Sequence, residues 1–134
     1  MAYPPISQGC LGSLALIMAV VRGSAATRKT ERGRAAQAAS WIEYEYQTQR
    51  LLYAHGANTP RPFTQIGNAV LMEYIGAVGD PAPRLSDVKL AQEEAQPLFE
   101  CILHNVELAL SHGRIHGDLS AYNVLYWQGD RDAD

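Results

Sequence analysis

Lysine and cysteine are both scarce in this 134-residue chain. Its two cysteines, Cys10 and Cys101, suggest neither a disulfide framework nor a paired metal motif, so a reducing cytoplasm is the expected location. A formal net charge of −3 gives no electrostatic reason to expect nucleic acid or an anionic membrane as a partner. A mechanism that needs a lysine has only Lys29 and Lys89 to draw on.

Long hydrophobic runs are also absent. The longest mostly apolar run, residues 10–21, is too short to cross a bilayer, and no positive residue precedes it as in a secretory signal. The run therefore predicts a buried strand or a short helix. With 47% hydrophobic and 19% charged residues, the chain has an ordinary globular balance, and its length allows one domain at most.

Apolar periodicity predicts two long helices. Residues 35–55 and residues 93–112 each carry an apolar face with a 3.6-residue period, and each is followed by a glycine that can end a helix. Pro97 interrupts the second pattern, because proline is tolerated in a first turn but distorts a helix interior. We therefore expect either a helix start near Gln96 or a local bend.

Two further patterns predict short strands. Apolar runs at residues 63–66 and 69–74 flank Gly67-Asn68, a two-residue turn signal, and together they predict an antiparallel hairpin. The apolar triplet Val124–Tyr126 predicts a short buried strand. A helix through residues 63–75 would contradict this interpretation.

The stretch just before that last strand contains Asp118 and Asn123, five residues apart. In the phosphoryl-transfer loops of kinases, an aspartate accepts the substrate hydroxyl proton and an asparagine five positions later supplies an amide oxygen to Mg²⁺. This spacing lets one short loop present a base and a metal ligand to the same phosphate. The alternative is an ordinary Asp/Asn turn that leads into a strand.

The loop reads His-Gly-Asp-Leu-Ser-x-Tyr-Asn from His116 to Asn123 and resembles the RIO family of atypical protein kinases, especially its bacterial branch. Aminoglycoside and choline phosphotransferases share the His-Gly-Asp-Leu segment and the asparagine, whereas Ser120 and Tyr122 favour RIO. The resemblance implies an α+β, protein-kinase-like fold of the RIO type. It is incomplete here, with a hairpin and a helix of the N-lobe and the start of a helical C-lobe.

The resemblance also implies roles for individual residues. Asp118 would be the catalytic base and Asn123 a catalytic residue and metal ligand. The strand Val-Leu-Met-Glu-Tyr-Ile-Gly resembles the family's hinge, in which Met72 borders the adenine and the backbones of Glu73 and Ile75 form hydrogen bonds with it. A plain edge hairpin is the alternative.

Other parts of the kinase pattern are mismatched. Glu45 matches the helix glutamate that pairs with a strand lysine near ATP, although a surface glutamate is an equal alternative. Lys29 directly precedes the helix and is better explained as a solvated linker charge. No Gly-x-Gly-x-x-Gly loop occurs near the start, and Asp132 and Asp134 follow no apolar strand that would make either a second metal ligand.

These features predict a non-matching segment at residues 1–28, a partial RIO kinase domain at 29–129 and a polar tail at 130–134. We expect a truncated, cytoplasmic RIO-like serine/threonine protein kinase that uses Mg²⁺ to transfer the ATP γ-phosphate to an unknown protein substrate. No nucleic acid or membrane partner is expected. Two alternatives stay open: a non-catalytic kinase remnant that binds nucleotide or protein, and a small-molecule phosphotransferase of the aminoglycoside or choline kinase type.

The incomplete domain predicts self-association. A sheet that lacks strands at its ends exposes unpaired edges and apolar surface. We therefore expect the isolated chain to be poorly soluble or to self-associate, as measured by gel filtration with light scattering. A monomer with a sharp, cooperative thermal transition would contradict this expectation.

Overall fold

The computed structural model describes residues 14–16 and 31–129 and confirms the predicted α+β class. Three small antiparallel pairs accompany two long helices: β1 pairs with β6, β2 with β3, and β4 with β5. In chain order, the elements are β1 Leu14–Leu16, α1 Glu31–Ala54, β2 Pro62–Ile66, β3 Ala69–Met72, β4 Gly76–Ala77, β5 Asp80–Pro81, α2 Gln92–Ser111 and β6 Val124–Tyr126.

Some of the sequence-based expectations concern residues outside the described range. Of the apolar run at 10–21, the structure describes residues 14–16 as the short strand β1. Lys29 and the polar tail at 130–134 lie outside the described residues, so the expectations for them stay predictions.

Helix α1 ends where the sequence predicts. Gly56 adopts a φ of +86°, which a residue with a side chain rarely tolerates. The Ala57 N–H can then donate to the Leu52 carbonyl at 3.0 Å, and this bond closes the last turn. The predicted helix over 35–55 is confirmed, with an earlier start.

The predicted helix over 93–112 is confirmed as α2, and of the two alternatives for Pro97, a start near Gln96 is wrong. The helix begins at Gln92, where the Glu94 carboxylate accepts a hydrogen bond from the Ala91 N–H at 3.0 Å and stabilises the first turn. Pro97 then lies inside the helix, early enough that it removes one backbone hydrogen bond near the N-terminus.

The predicted hairpin is confirmed as the β2–β3 pair, in which Ile66 pairs with Ala69 across the turn. Helix α1 lies beside this hairpin. A buried hydrogen bond from Gln49 Nε2 to the Pro60 carbonyl, 2.8 Å long, fixes the helix to the chain that enters β2. The helix and the hairpin therefore form one packed unit.

A buried pair of asparagines joins α2 to the turn after α1. The Asn58 N–H donates to Asn105 Oδ1 at 2.7 Å, and Asn105 Nδ2 donates to Asn58 Oδ1 at 2.9 Å. Asn105 Nδ2 also donates to the Cys101 carbonyl at 2.8 Å. Both asparagines are 4% exposed, so these bonds form where water is excluded and an unmade bond would be costly.

Strand β6 packs against both α2 and the segment that follows the β2–β3 hairpin. Val124 is 1% exposed and packs against Leu98 and Cys101 of α2. The next residue, Leu125, packs against the buried cluster of Ile75 and Ala82, which lie in the segment after β3. The predicted buried strand at Val124–Tyr126 is thus confirmed, and it holds α2 and the segment after the hairpin to one another.

The surface of α2 carries several exposed apolar side chains. Phe99, Leu103 and Leu110 are 59%, 44% and 56% exposed, respectively. Such a surface supports the expected self-association, which stays a prediction. Among the described residues, neither helix is both long enough and apolar enough to span a bilayer.

Replacing Asn105 with alanine should lower the free energy of unfolding by about 1–3 kcal/mol, because the change removes buried hydrogen bonds to Asn58. Asn68→Ala, in the exposed hairpin turn, is the matched control and should change it by less than about 0.5 kcal/mol. Urea denaturation measures both values. Equal losses in the two variants would contradict a stabilising role for the buried pair.

Candidate functional site

Residues 115–123 form a loop that α2 and β6 hold at its two ends. At the start, the Arg114 N–H donates to the Ala109 carbonyl at 2.8 Å, so the chain turns sharply as it leaves α2. At the end, a single 3₁₀ turn forms, in which the Asn123 N–H donates to the Ser120 carbonyl at 3.0 Å. Strand β6 follows this turn directly.

Asp118 and Asn123 are in direct contact within this loop. Asn123 Nδ2 donates to the Asp118 carbonyl oxygen at 2.8 Å and to its carboxylate Oδ2 at 2.9 Å. Because both acceptors are oxygens, the amide must turn its nitrogen towards Asp118, and its own oxygen faces the other way. Asp118 is exposed, and within the described chain its second carboxylate oxygen accepts no hydrogen bond.

His116 makes a further contact with Asp118. The Asp118 N–H donates to His116 Nδ1 at 3.1 Å. A ring nitrogen that accepts a hydrogen bond needs a free lone pair, so the neutral ring carries its proton on Nε2. His116 belongs to the loop motif, but residue type alone does not show which nitrogen faces the loop, so this contact could not be predicted.

An apolar pocket of about 90 Å³, which no sequence pattern predicts, lies behind the loop. Its walls come from the end of α1, the turn after it, the second half of α2 and the start of the loop. The lining residues are Leu52, Ala57, Thr59, Asn105, Val106, Ala109, Leu110, Arg114, Ile115, His116 and Leu119. The imidazole of His116 is thus set among mainly apolar side chains.

The expected hinge residues follow one another from the end of β3. Met72 is the last residue of that strand and is half-buried. Glu73 forms two bonds with Arg61: its N–H donates to the Arg61 carbonyl at 2.8 Å, and its carboxylate accepts from the Arg61 N–H at 2.9 Å. Ile75 is buried, and its carbonyl accepts from the Ala82 N–H at 2.9 Å. The backbone of this segment is therefore held on both sides.

The hinge segment and the loop are connected through β6. Leu125, which lies two residues after Asn123 in the chain, packs against the buried cluster that Ile75 forms with Ala82. The structure therefore brings Asp118 and Asn123 together and links them to Ile75 through one strand. Met72 and Glu73 lie at the end of the β2–β3 hairpin, at the start of the hinge segment.

Glu45 lies at the half-buried side of α1. The only lysine among residues 31–129 is Lys89, which is exposed in the segment before α2. The described range therefore contains no candidate for the strand lysine that the kinase pattern requires. Within that range, no group of three or more histidine, cysteine, aspartate or glutamate side chains could hold a metal ion.

The sequence comparisons identify the family of this chain. The RIO domain family model matches residues 18–131, which is most of the chain. The chain belongs to the RIO domain family. No solved structure gave a significant match.

Several curated proteins are similar to this chain. It is 31% identical over 91 residues to the RIO-type serine/threonine-protein kinase Rio1 of Haloferax volcanii, covering 68% of this chain and 31% of that protein. It is 29% identical to the serine/threonine-protein kinase RIO1 of Caenorhabditis elegans, and the match covers 68% of this chain and 18% of that protein. It is 28% identical to the RIO-type serine/threonine-protein kinase Rio1 of Thermoplasma acidophilum, and the match covers 64% of this chain and 44% of that protein. The chain thus spans less than half the length of each of these relatives.

Replacing Asn123 with aspartate should loosen the loop, because a carboxylate cannot donate to Asp118 and repels its charge. We expect amide exchange over residues 118–123 to become several-fold faster than in the wild-type chain.

Asn123→Ala is the control for this experiment, since it removes the same two donors and adds no charge. It should speed exchange less than Asn123→Asp does, because it brings no second charge near Asp118. Hydrogen exchange followed by NMR measures both variants. If Asn123→Asp and Asn123→Ala sped exchange equally, direct contact between the two side chains would be contradicted.

Proposed function

We propose that this chain is the nucleotide-binding and phosphate-binding part of a RIO-like serine/threonine protein kinase. The observation that carries the proposal is the pair of hydrogen bonds from Asn123 Nδ2 to Asp118, at 2.8 and 2.9 Å. They orient a carboxylate and an amide oxygen from one short loop, as a phosphoryl-transfer site requires. The names of the curated relatives support a protein as the phosphate acceptor.

Asp118 is proposed as the catalytic base. Its exposed carboxylate has one oxygen held by Asn123 and a second oxygen that can accept a proton from a serine or threonine hydroxyl. A base must lie within about 2.6–3.2 Å of that hydroxyl oxygen, and a group fixed in advance loses little freedom when the substrate arrives. Asn123 therefore orients the base.

The proposed second role of Asn123 is to bind Mg²⁺ through its amide oxygen. Mg²⁺ prefers hard oxygen ligands and takes few of them from the protein, the others being water and phosphate oxygens. The amide oxygen of Asn123 fits this preference, because the amide nitrogen is already turned towards Asp118. When bound, Mg²⁺ would neutralise charge on the ATP phosphates.

ATP is the proposed co-substrate, with its adenine beside Met72 and hydrogen-bonded to the backbones of Glu73 and Ile75. The hydrogen bonds of Glu73 with Arg61 support this proposal, because they fix the backbone that would have to meet a planar base. Glu45 would align a phosphate-binding lysine. We propose that these steps take place in the cytoplasm.

A non-catalytic nucleotide-binding protein is the second candidate. It is favoured because residues 31–129 contain one lysine, the exposed Lys89, and no carboxylate cluster suited to a second metal ion. Transfer also needs charge neutralisation on the phosphates, and losing one such group commonly costs on the order of 10² or more in rate. For the chain by itself, we therefore expect weak binding and very slow transfer.

The test combines a binding assay with a transfer assay on the chain. We expect weak, Mg²⁺-dependent binding of a fluorescent ATP analogue, which Asn123→Ala should weaken roughly tenfold through loss of a metal ligand. Radiolabelled ATP measures transfer to the chain or to a generic protein substrate, and Asp118→Ala should reduce any transfer by about 10² or more. Asp87→Ala changes an exposed carboxylate in another turn and should have no effect on either assay.

The outcomes separate the two candidates. Mg²⁺-dependent transfer that Asp118→Ala abolishes establishes the kinase. Mg²⁺-dependent binding with no transfer, or with transfer that Asp118→Ala leaves unchanged, supports the non-catalytic protein. An absence of nucleotide binding at any Mg²⁺ concentration would contradict both.

A further inference from the structure

We propose that His55 and His112 form a two-histidine site for a divalent transition-metal ion, Zn²⁺, Ni²⁺ or Cu²⁺, which joins the end of α1 to the end of α2. The two imidazole rings are neighbours, with their centroids 4.1 Å apart and their planes tilted by 48°. Neither histidine belongs to the loop that contains Asp118 and Asn123. The proposal therefore goes beyond the proposed function and does not depend on it.

The ring of His55 carries the hydrogen bond that a metal ligand usually has. Its Nδ1 lies 2.7 Å from the carbonyl oxygen of Leu51. A carbonyl can only accept, so Nδ1 carries the proton and Nε2 of the neutral ring keeps its lone pair. Histidines that bind metals almost always donate their other N–H to a carbonyl or carboxylate, which fixes the ring and raises its basicity. Nε2 of His55 is thus the first proposed ligand.

His112 supplies the second ligand. Within the described part of the chain its ring forms no hydrogen bond, so either ring nitrogen can bind an ion. Two nitrogen ligands of a tetrahedral Zn²⁺ lie about 3.3 Å apart, given Zn–N distances of about 2.0–2.1 Å. Two tilted rings with centroids 4.1 Å apart can direct one nitrogen each to such an ion after small side-chain rotations. Because His55 is exposed, the ion can enter from solvent.

The backbone holds both histidines at the ends of packed helices. The His55 N–H donates to the Leu52 carbonyl at 3.1 Å, and the His112 N–H donates to the Ala109 carbonyl at 3.1 Å. Leu52 and Ala109 belong, with Ala57, to one buried cluster. The folded chain thus brings the two imidazoles together before an ion arrives, which lowers the ordering cost of binding.

The electrostatics of the helix ends also favour a cation here. Helix α1 ends at Ala54 and α2 at Ser111, so each histidine directly follows a helix C-terminus. The unpaired carbonyl groups of a C-terminus carry a partial negative charge, which stabilises positive charge nearby. Neither helix has a basic residue in its last turn. A metal ion bound by both histidines would supply that positive charge to two helix ends at once.

The ligand type determines which ions fit. Imidazole nitrogen suits Zn²⁺, Ni²⁺ and Cu²⁺, whereas Mg²⁺ and Ca²⁺ prefer oxygen. Among the described residues, no group of three or more histidine, cysteine, aspartate or glutamate side chains could hold a metal ion. The site therefore has two protein ligands, with water in the remaining positions, and binds more weakly than a four-ligand structural zinc site. Its ion preference distinguishes it from the Mg²⁺ role proposed for Asn123.

A Zn²⁺ titration of the full wild-type chain, followed by NMR of the individual histidine ring signals, tests the proposal without any substitution. We expect the rings of His55 and His112 to shift together, with one dissociation constant and one ion per chain. Mg²⁺ at the same concentrations should shift neither ring. The dissociation constant should be the same at two chain concentrations, because both ligands come from one molecule.

Single substitutions test whether the two rings bind one ion. His55→Gln and His112→Gln each remove one imidazole and keep a polar side chain of similar size. Each should weaken Zn²⁺ binding at the remaining ring by roughly tenfold or more, since even the loss of a group that supports a ligand commonly costs that much. His104→Gln is the matched control, because it removes a half-buried histidine from the middle of α2. It should leave the dissociation constant unchanged.

Three outcomes would overturn the proposal. The first is a wild-type titration in which Zn²⁺ shifts neither ring, or only one. The second is a dissociation constant at His55 that is the same in His112→Gln as in the wild-type chain, which would make the two rings independent. The third is binding that tightens as the chain concentration rises, which would mean that the ion bridges two copies. Circular dichroism identifies an unfolded variant, and the wild-type titration then decides the case.

This experiment and the assays of the proposed function are independent. The titration requires neither nucleotide nor phosphate transfer. Coupled Zn²⁺ shifts at both rings together with a failed transfer assay would refute only the kinase, and absent shifts together with Mg²⁺-dependent transfer would refute only the two-histidine site.

Discussion

Two buried amide side chains, those of Asn58 and Asn105, connect the α1 region to α2. Asn58 follows α1, Asn105 lies in the middle of α2, and each accepts a hydrogen bond from the other. The pocket behind the loop has walls from α1, from the turn that carries Asn58 and from α2, so its shape depends on this contact. His116 lines that pocket and accepts a hydrogen bond from the Asp118 N–H. One side chain thus connects this part of the interior with the exposed loop.

The elements that could be predicted are those specified locally. Both helices follow from apolar periodicity and a terminal glycine, and the hairpin follows from Gly-Asn between apolar runs. A start of α2 near Gln96, one of the two alternatives for Pro97, is too late, because the Glu94 carboxylate accepts a hydrogen bond from the Ala91 N–H and stabilises an earlier first turn. The buried asparagine pair could not be predicted, since its members are 47 residues apart and polar residues there carry no periodic signal.

In the candidate site, too, some features could be predicted from the sequence and others could not. The contact between Asp118 and Asn123 could be anticipated, because a separation of five residues closes readily when a 3₁₀ turn lies between them. The acceptor role of His116 depends on the orientation of a ring, and the two bonds between Glu73 and Arg61 depend on strand register. Neither can be read from residue types. The proximity of two residues within one loop is therefore easier to predict from the sequence than the contacts that hold the loop in place.

The pairing of β1 with β6 has a consequence for how the molecule is made. Leu14 lies opposite Tyr126, so the strand that follows the loop finds its partner near the other end of the described chain. Closing so long a loop is slow compared with forming a helix or a two-residue hairpin. On a ribosome, β6 emerges after the other described elements. The helices and hairpin can therefore fold early, whereas the loop with Asp118 acquires its support from the β1–β6 pair only after β6 has been synthesised.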